Sequence, residues 1–256
     1  MAMANILETK MLTKRFGGIV ANHGINLKIE EGKTTGLIGP NGSGKTTFIN
    51  QVSGIFPPTS GNILFRGEEI SKKPACKIAS MGIARTFQRI QLFNHLNVVE
   101  NVLVSRSKFM SASALDIALG TAKVRRKEEA QFDKAMEFLG IFGLDKDAWK
   151  LPLSLPYGKR RALEIARALA LEPVLLLLDE PVAGMTKEEF MDILGILDIL
   201  KERKMTMLLV EHTMEFIRKA VDWVYVLNFG EVIAQGPFEE IEKNKAVITA
   251  YLGDEE

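Results

Sequence analysis

The hydrophobic positions divide this chain into stretches of different period. Residues 5–33 alternate apolar with polar side chains. Ile6, Leu7 and Met11 are followed by Ile25, Leu27 and Ile29, with Gly17-Gly18 between the two sets. Alternation at period two around a glycine pair predicts an opening antiparallel sheet. Residues 34–38 read as a short buried strand and 48–52 as the start of a helix. Pro57-Pro58-Thr59-Ser60-Gly61 marks a turn. A strand is expected over 62–66, a short helix over 75–80, and a strand over 83–88 that ends at Gln88.

Residues 92–170 differ in character, with long helical patterns and almost no strand signal. Residues 112–119 are helix-prone, 123–140 form a charged amphipathic helix, and 163–171 form a third. From residue 174 strands and helices alternate again. Strands are expected at 174–178, 205–210, 222–228 and 231–235, and helices at 187–203, 213–220 and 238–251. The predicted class is α/β, an α/β core with an antiparallel β subdomain and an inserted α-helical subdomain. Residues 1–91 would hold the antiparallel subdomain and the first part of the core. Residues 92–170 would form the helical insert, and 171–256 the rest of the core with a C-terminal helix.

Composition narrows the class. The chain has 256 residues, 46% hydrophobic, enough for one large domain or a core domain with a subdomain. Its 33 basic and 32 acidic residues leave a net charge of +1, which argues against broad nucleic-acid binding. The lone Cys76 excludes an intrachain disulfide and points to a reducing compartment. The N-terminal residues lack a basic segment followed by a long apolar run, so no signal peptide is expected. Apolar stretches fall far short of the roughly 20 residues that span a bilayer. Any service to a membrane process would be as a peripheral subunit.

Two motifs carry the chemistry. Gly39-Pro40-Asn41-Gly42-Ser43-Gly44-Lys45-Thr46 is a full G-x-x-x-x-G-K-[ST] phosphate loop, placed between a predicted strand and a predicted helix. Glycine lets successive backbone N–H groups turn inward toward phosphate oxygens. The helix N-terminus adds unpaired N–H groups and partial positive charge. Lys45 would reach the β- and γ-phosphates, and the Thr46 hydroxyl would ligate Mg²⁺; Thr47, next along the helix, completes the nucleotide-binding set. The second motif is the apolar run 174–178 ending in Asp179-Glu180. A buried strand would carry these carboxylates to the sheet edge, one for Mg²⁺ and one for water. Together the motifs predict binding and hydrolysis of ATP.

With Gln88 and His212 added, the chain resembles the ATP-binding-cassette family over essentially its whole length, and in order. The resemblance implies a phosphate-loop NTPase core of the ABC ATPase type. Phe16, before Gly17, stands where the family places an aromatic that stacks on adenine, although a strand phenylalanine also serves as core. Gln88 matches the family's glutamine loop and implies a contact with Mg²⁺ or water. Asp179-Glu180-Pro181 matches the second nucleotide motif. Asp179 would hold Mg²⁺ directly or through water, and Glu180 would be the general base or the group that positions the attacking water. His212 matches the switch histidine and would hydrogen-bond the γ-phosphate. His23 and His95 lack such a setting and read as surface residues.

The signature segment departs from the family's common Leu-Ser-Gly-Gly-Gln. The aligned residues are Leu155-Pro156-Tyr157-Gly158-Lys159, anchored by Glu164-Ile165-Ala166-Arg167-Ala168-Leu169 downstream. In the family this segment reaches the γ-phosphate on a partner subunit. Pro156 removes a hydroxyl and an N–H, while Gly158 retains backbone donors at a helix N-terminus and Lys159 adds charge. Ala183-Gly184-Met185-Thr186 replaces the common Ser-Ala-Leu-Asp, so the dimer-coupling aspartate is absent at Thr186. The Tyr-Gly pair, Arg85-Thr86-Phe87-Gln88, Pro181 to Met185 and the long insert look most like the ATPase subunits of branched-chain amino acid importers. Lipopolysaccharide-export cassettes share some of these features.

The resemblance implies an ATP- and Mg²⁺-dependent ATPase held peripherally on the cytoplasmic face of the inner membrane. Its implied partners are integral-membrane permeases, a second ATPase subunit, identical or paralogous, and a periplasmic solute-binding protein, with no nucleic acid. A soluble cassette ATPase of DNA repair, chromosome maintenance or translation is the rival. It would bring a second cassette, coiled-coil arms or zinc ligands, against one cysteine and no long heptad run here. A phosphate-loop small-molecule kinase would need neither the signature helix nor His212.

Overall fold

The computed structural model describes residues 5–252 except 111–120. The helix expected at 112–119 lies outside the described residues. The chain divides into two compact units. The first contains the residues up to Gln88, Val174–Ala183 and those from Leu197 onward; the second contains Arg89–Pro173 and Gly184–Ile196. Residues 184–196 cluster with the helical unit.

In the first unit, β1 (Asn5–Phe16) and β2 (Ile19–Glu30) pair antiparallel. With β4 (Ser60–Phe65) and β5 (Glu68–Glu69) they form a sheet of order β2-β1-β4-β5. The second sheet joins β3 (Thr34–Ile38), β6 (Ile83–Arg85), β7 (Leu175–Asp179), β8 (Thr206–Val210), β9 (Trp223–Asn228) and β10 (Glu231–Gly236). Its order is β10-β9-β3-β8-β7-β6, parallel except for the β9–β10 hairpin. Every residue of β3, β7 and β8 is buried. Strands covered on both faces read as unbroken apolar runs, which is how Leu175–Leu178 appears in the sequence.

Helix α1 (Lys45–Val52) places Phe48, Ile49 and Val52 in one core with Leu37, Leu175, Leu177, Leu208 and Val210. The inward alternation of the first sheet continues that core through Leu7, Leu12, Ile25, Leu27, Ile29 and Phe65. A short helix α2 (Ala75–Ser80) contributes Ile78.

The second unit is built on helices α3 (Val98–Arg106), α4 (Ala122–Ile141) and α5 (Tyr157–Leu169). Helix α6 (Lys187–Glu202) starts in it. Helix α3 opens on a capping box, in which the Asn97 side chain accepts from Glu100 N–H and the Glu100 side chain accepts from Asn97 N–H. Asn101 is fully buried, and both ends of its amide are engaged. Its oxygen accepts from Phe93 N–H, and its nitrogen donates to the carbonyls of Phe93, Leu96 and Asn97. The amide thus fixes segment 93–97 to the helix.

Some element ends differ from the expectation. The strand at 83–88 stops at Arg85, because the Thr86 hydroxyl turns to accept from Asp179 N–H. The helix at 163–171 begins at Tyr157. Helix α3 carries its own sequence signal, Asn97-x-x-Glu100 around Val98, Val99 and Val102, which the broad helical pattern obscures. After helix α7 (Met214–Ala220), the expected helix 238–251 is two helices, α8 (Phe238–Ile241) and α9 (Lys245–Leu252). The Asn244 side chain accepts from Ala246 N–H and starts the second helix anew.

Asn101→Leu keeps the approximate shape of the side chain and takes its amide from the Phe93 N–H and the Leu96 carbonyl, while the Phe93 and Asn97 carbonyls keep only their backbone donors. It is expected to destabilise the helical unit by about 1–3 kcal/mol, read as a lower urea midpoint together with faster amide exchange at Phe93.

Candidate active site

Three strand ends meet at one edge of the large sheet, because β3, β8 and β7 are parallel and in register. Leu37 pairs with Val210, and Val210 pairs with Asp179. The residues that follow these strands are the phosphate loop, Glu211-His212 and Glu180.

The loop is held by close backbone packing. A side chain at Gly39 would lie 2.1 Å from the Leu227 carbonyl oxygen, and one at Gly44 would lie 2.3 Å from that of Ala21. Gly44 also takes a left-handed conformation, φ 102°, as the N-cap of α1. The Pro40 carbonyl accepts from Ser43 N–H, and the Ser43 carbonyl in turn accepts from Gly230 N–H. Asn22 on β2 donates to the Gly44 carbonyl and accepts from Gln51 of α1. Asn41 and Gly42 are exposed, and Thr46 is exposed with Thr47 half-buried on the first turn of α1.

Lys45 is buried, and its ammonium donates to the carbonyls of Gly39 (2.7 Å) and Pro40 (2.9 Å). Burial pushes its pKa below the usual lysine value, against the opposing charges of Glu180, Asp179 and Glu211. The phosphate-loop lysine and the strand-end acids predicted from sequence therefore share one electrostatic environment.

Asp179 is 2% exposed and forms an ion pair with Arg85 at 2.9 Å. The same guanidinium donates to Asn50 and Ser53 at α1, so Arg85 joins the loop's helix to the acid strand. Glu180 follows in the left-handed region, φ 47°. This is an uncommon conformation for a residue with a Cβ, and here it turns the chain off the sheet. Its N–H still donates to the Val210 carbonyl (2.8 Å), and its carboxylate accepts from the Gln88 side chain at 3.0 Å. Gln88 and Glu180, 92 residues apart, are thus brought together. His212 is exposed, and its N–H donates to the Glu211 carboxylate.

Phe16 is 47% exposed and makes an edge-on contact with Phe56 at 5.3 Å, with the Lys14 ammonium 5.1 Å from its ring. It is a surface aromatic at the end of β1, which disposes of the core alternative.

The signature residues belong to the second unit. Leu155 is buried, Pro156 is the N-cap of α5 with no side-chain cap, and Tyr157 is the first helical residue. Gly158 N–H donates to the Glu189 carboxylate at 2.6 Å. A side chain at Gly158 would meet Glu189 Cγ at 2.7 Å. Lys159 is less available than its charge suggests, because its ammonium pairs with Asp147 at 2.6 Å. The Lys150 and Lys159 ammonium groups hold the Asp147 carboxyl below its usual pKa.

Arg85, Glu189, Glu211 and Asn22 do not stand out as site residues in the sequence. Glu189 has a signal, since Thr186-x-x-Glu189 is a capping box with both bonds formed. Arg85 is a charge at the end of an apolar strand, and Glu211 extends another. Asn22 gives no such sign.

Among the described residues, no helix is long and apolar enough to cross a membrane, and no cluster of three or more acidic, histidine or cysteine side chains could hold a metal.

Comparison with known proteins agrees with this geometry. The ABC transporter family profile matches residues 22–183, and that of the branched-chain amino acid ATP-binding cassette transporter matches residues 231–256. The chain is 41% identical to the high-affinity branched-chain amino acid transport ATP-binding protein BraF of Pseudomonas aeruginosa, covering 97% of this chain and 98% of that one. It is 37% identical to LivG of Escherichia coli, a protein of the same description, over the same shares. The crystal structure of MJ1267, an ABC transporter cassette in its ADP conformation, superposes with a TM-score of 0.85 at 30% identity, over 98% of this chain and 100% of that one. The dimeric post-hydrolysis structure of the cassette MJ0796, bound to ADP and phosphate, has a TM-score of 0.75 at 27% identity, over 91% and 98%. A strand-end acid pair facing a phosphate-loop lysine, in a chain matched over nearly its full length by cassette ATPases, has one reading: the chain belongs to the ABC transporter family and is an ATP-hydrolysing subunit of it.

Proposed function

We propose that this ATPase energises import of branched-chain or other hydrophobic amino acids, working as a peripheral subunit on the cytoplasmic face of the membrane. The observation that carries the chemistry is the Lys45 ammonium buried among the charges of Glu180, Asp179 and Glu211. Lys45 is held 2.7 Å from the Gly39 carbonyl, ready to exchange that acceptor for β- and γ-phosphate oxygens of ATP. Backbone N–H groups of residues 41–47, at the loop and the α1 N-terminus, complete the cradle. Phe16, exposed at the end of β1, offers its ring to adenine. Glu180 orients the attacking water and takes its proton, Gln88 fixes the Glu180 carboxylate, and His212 steadies the γ-phosphate as charge builds on it.

Thr46, Gln88 and Asp179 would hold Mg²⁺. A hydroxyl, an amide and a carboxylate are the hard oxygen donors this ion prefers, and an ion that keeps waters and phosphate oxygens needs no dedicated protein cage. When bound it supplies neutralisation of phosphate charge. The Arg85 pair sets the position of the Asp179 carboxylate for this task.

Two cassettes would close head to tail, with Leu155 to Lys159 of one facing the nucleotide of the other. In that arrangement Gly158 N–H leaves Glu189 and serves the γ-phosphate, as an exchange of one anionic acceptor for another. Helices of integral-membrane permeases would follow the motion, and a periplasmic solute-binding protein would deliver the cargo. The match to BraF and LivG supports the amino acid class.

Three outcomes test this reading. Lys45→Ala is expected to weaken ATP binding by one to two orders of magnitude, corresponding to the about 1.5–3 kcal/mol of a charged hydrogen bond. Titration with a fluorescent nucleotide measures it, and unchanged affinity would remove Lys45 from the site. Glu180→Gln is expected to bind ATP normally and hydrolyse it at least about 100-fold more slowly, accumulating an ATP-bound dimer on size exclusion; a parental rate would show that Glu180 does not orient the water. Gly158→Asp is expected to keep ATP binding by each monomer but lose ATP-driven association and hydrolysis, whereas Pro156→Ser retains both. Normal hydrolysis by Gly158→Asp in the assembled transporter would end the head-to-tail assignment.

A further inference from the structure

Glu211 is fully buried one residue beyond β8, a costly place for a carboxylate unless hydrogen bonds satisfy it. Its two oxygens reach two different chain segments. One accepts from Val182 N–H at 3.2 Å, two residues beyond Glu180. The other accepts from His212 N–H at 2.9 Å and Thr213 N–H at 3.2 Å. The backbone of Glu211 itself donates to the carbonyl of Leu37, on the strand that feeds the phosphate loop.

The position of this carboxylate follows from the sheet. Strands β7 and β8 pair up to Asp179 and Val210, and one further bond runs from Glu180 N–H to the Val210 carbonyl. Beyond it Glu180 leaves the ladder through its left-handed conformation. No strand can continue the pairing from there, and the side chain of Glu211 takes over the Val182 N–H.

We infer that Glu211 is a positioning residue for ATP hydrolysis, holding the backbone on the far side of Glu180 and the backbone of His212 to one fixed point. This rests on the roles given above to Glu180 and His212. The base on one side of the γ-phosphate and the histidine on the other are then placed by a single side chain. The spacing between them does not depend on either loop being stiff by itself. Glutamine cannot replace it in kind. Its one oxygen can serve the His212–Thr213 pair or Val182, and its NH₂ faces an N–H on the other side, donor against donor.

The test compares Glu211→Gln, Glu180→Gln and the double variant of the full chain. ATP dissociation constants come from fluorescent-nucleotide titration and hydrolysis rates from single turnovers. Glu211→Gln is expected to bind ATP within about twofold of the parent and to hydrolyse it about tenfold or more slower, since small misplacement at a reacting centre acts on the rate. The double variant is expected to be slower than Glu180→Gln by much less than the product of the two effects, because the part of Glu211 that acts through Glu180 has nothing further to lose and only the hold on His212 remains. Glu211→Gln at the parental rate, a parallel loss of binding and rate, or a double variant slower by the product of the two effects would overturn the inference. Glu180→Gln at the parental rate would instead overturn the reading beneath it, and the inference with it. Should Glu211→Gln fail to fold, amide exchange of the native chain decides. Protection of Val182, His212 and Thr213 with one common rate is expected, and a Val182 amide exchanging as fast as open loop would overturn the inference.

Discussion

The register of β3, β8 and β7 is the constraint on which the site depends. Leu37, Val210 and Asp179 lie side by side across three parallel strands. Each strand delivers its next residues to the same edge, which assembles a lysine, a buried glutamate and an acid pair from segments far apart in sequence. A slip of one residue would send every side chain of a strand to the opposite face. It would turn Asp179 away from the α1 face it shares with Leu175 and Leu177 and take Arg85 from its partner. The apolar runs at 175–178 and 206–210 thus do more than fill the core, because their packing also sets the positions of charges.

Arg85 adds a cross-tie to this edge. Its guanidinium reaches Asp179 on one side and Asn50 and Ser53 on the other. The phosphate-loop helix and the acid strand are joined by charge as well as by the apolar contacts of Phe48 and Ile49. Losing either partner would leave an uncompensated buried charge, which is more damaging than never having had the pair.

Much of this is legible in the sequence, for physical reasons. The phosphate loop is visible because only glycine permits its backbone, and its flanking strand and helix have clean patterns. Buried parallel strands are visible because burial on both faces leaves no polar position. The residues that escape a sequence reading share a different trait, in that each acts through partners distant in the chain. Arg85 serves Asp179, 94 residues away. Asn22 serves Gly44 and Gln51, and Glu189 holds the N–H of Gly158, 31 residues before it. Periodicity is a local property and carries no record of such pairings. Local signals that are present, such as the capping boxes at Asn97 and Thr186, report helix starts and are silent on what the capping carboxylate touches next. The division of the chain is likewise hidden at residues 184–196, where a helix that reads as continuous is shared between two units.

The tight seating of the phosphate loop bears on how portable the motif is. Gly39 sits against the Leu227 carbonyl and Gly44 against that of Ala21, with Asn22 bonded to the loop from the side. The loop is a casting whose mould is the backbone of β2 on one flank and the end of β9 on the other. Grafting its eight residues onto a foreign strand and helix would carry over the letters and leave the mould behind. A functional transplant has to include the 19–30 strand and the 223–236 hairpin. A laboratory seeking a minimal nucleotide-binding scaffold from this chain would accordingly cut by spatial neighbourhood rather than by stretch of sequence.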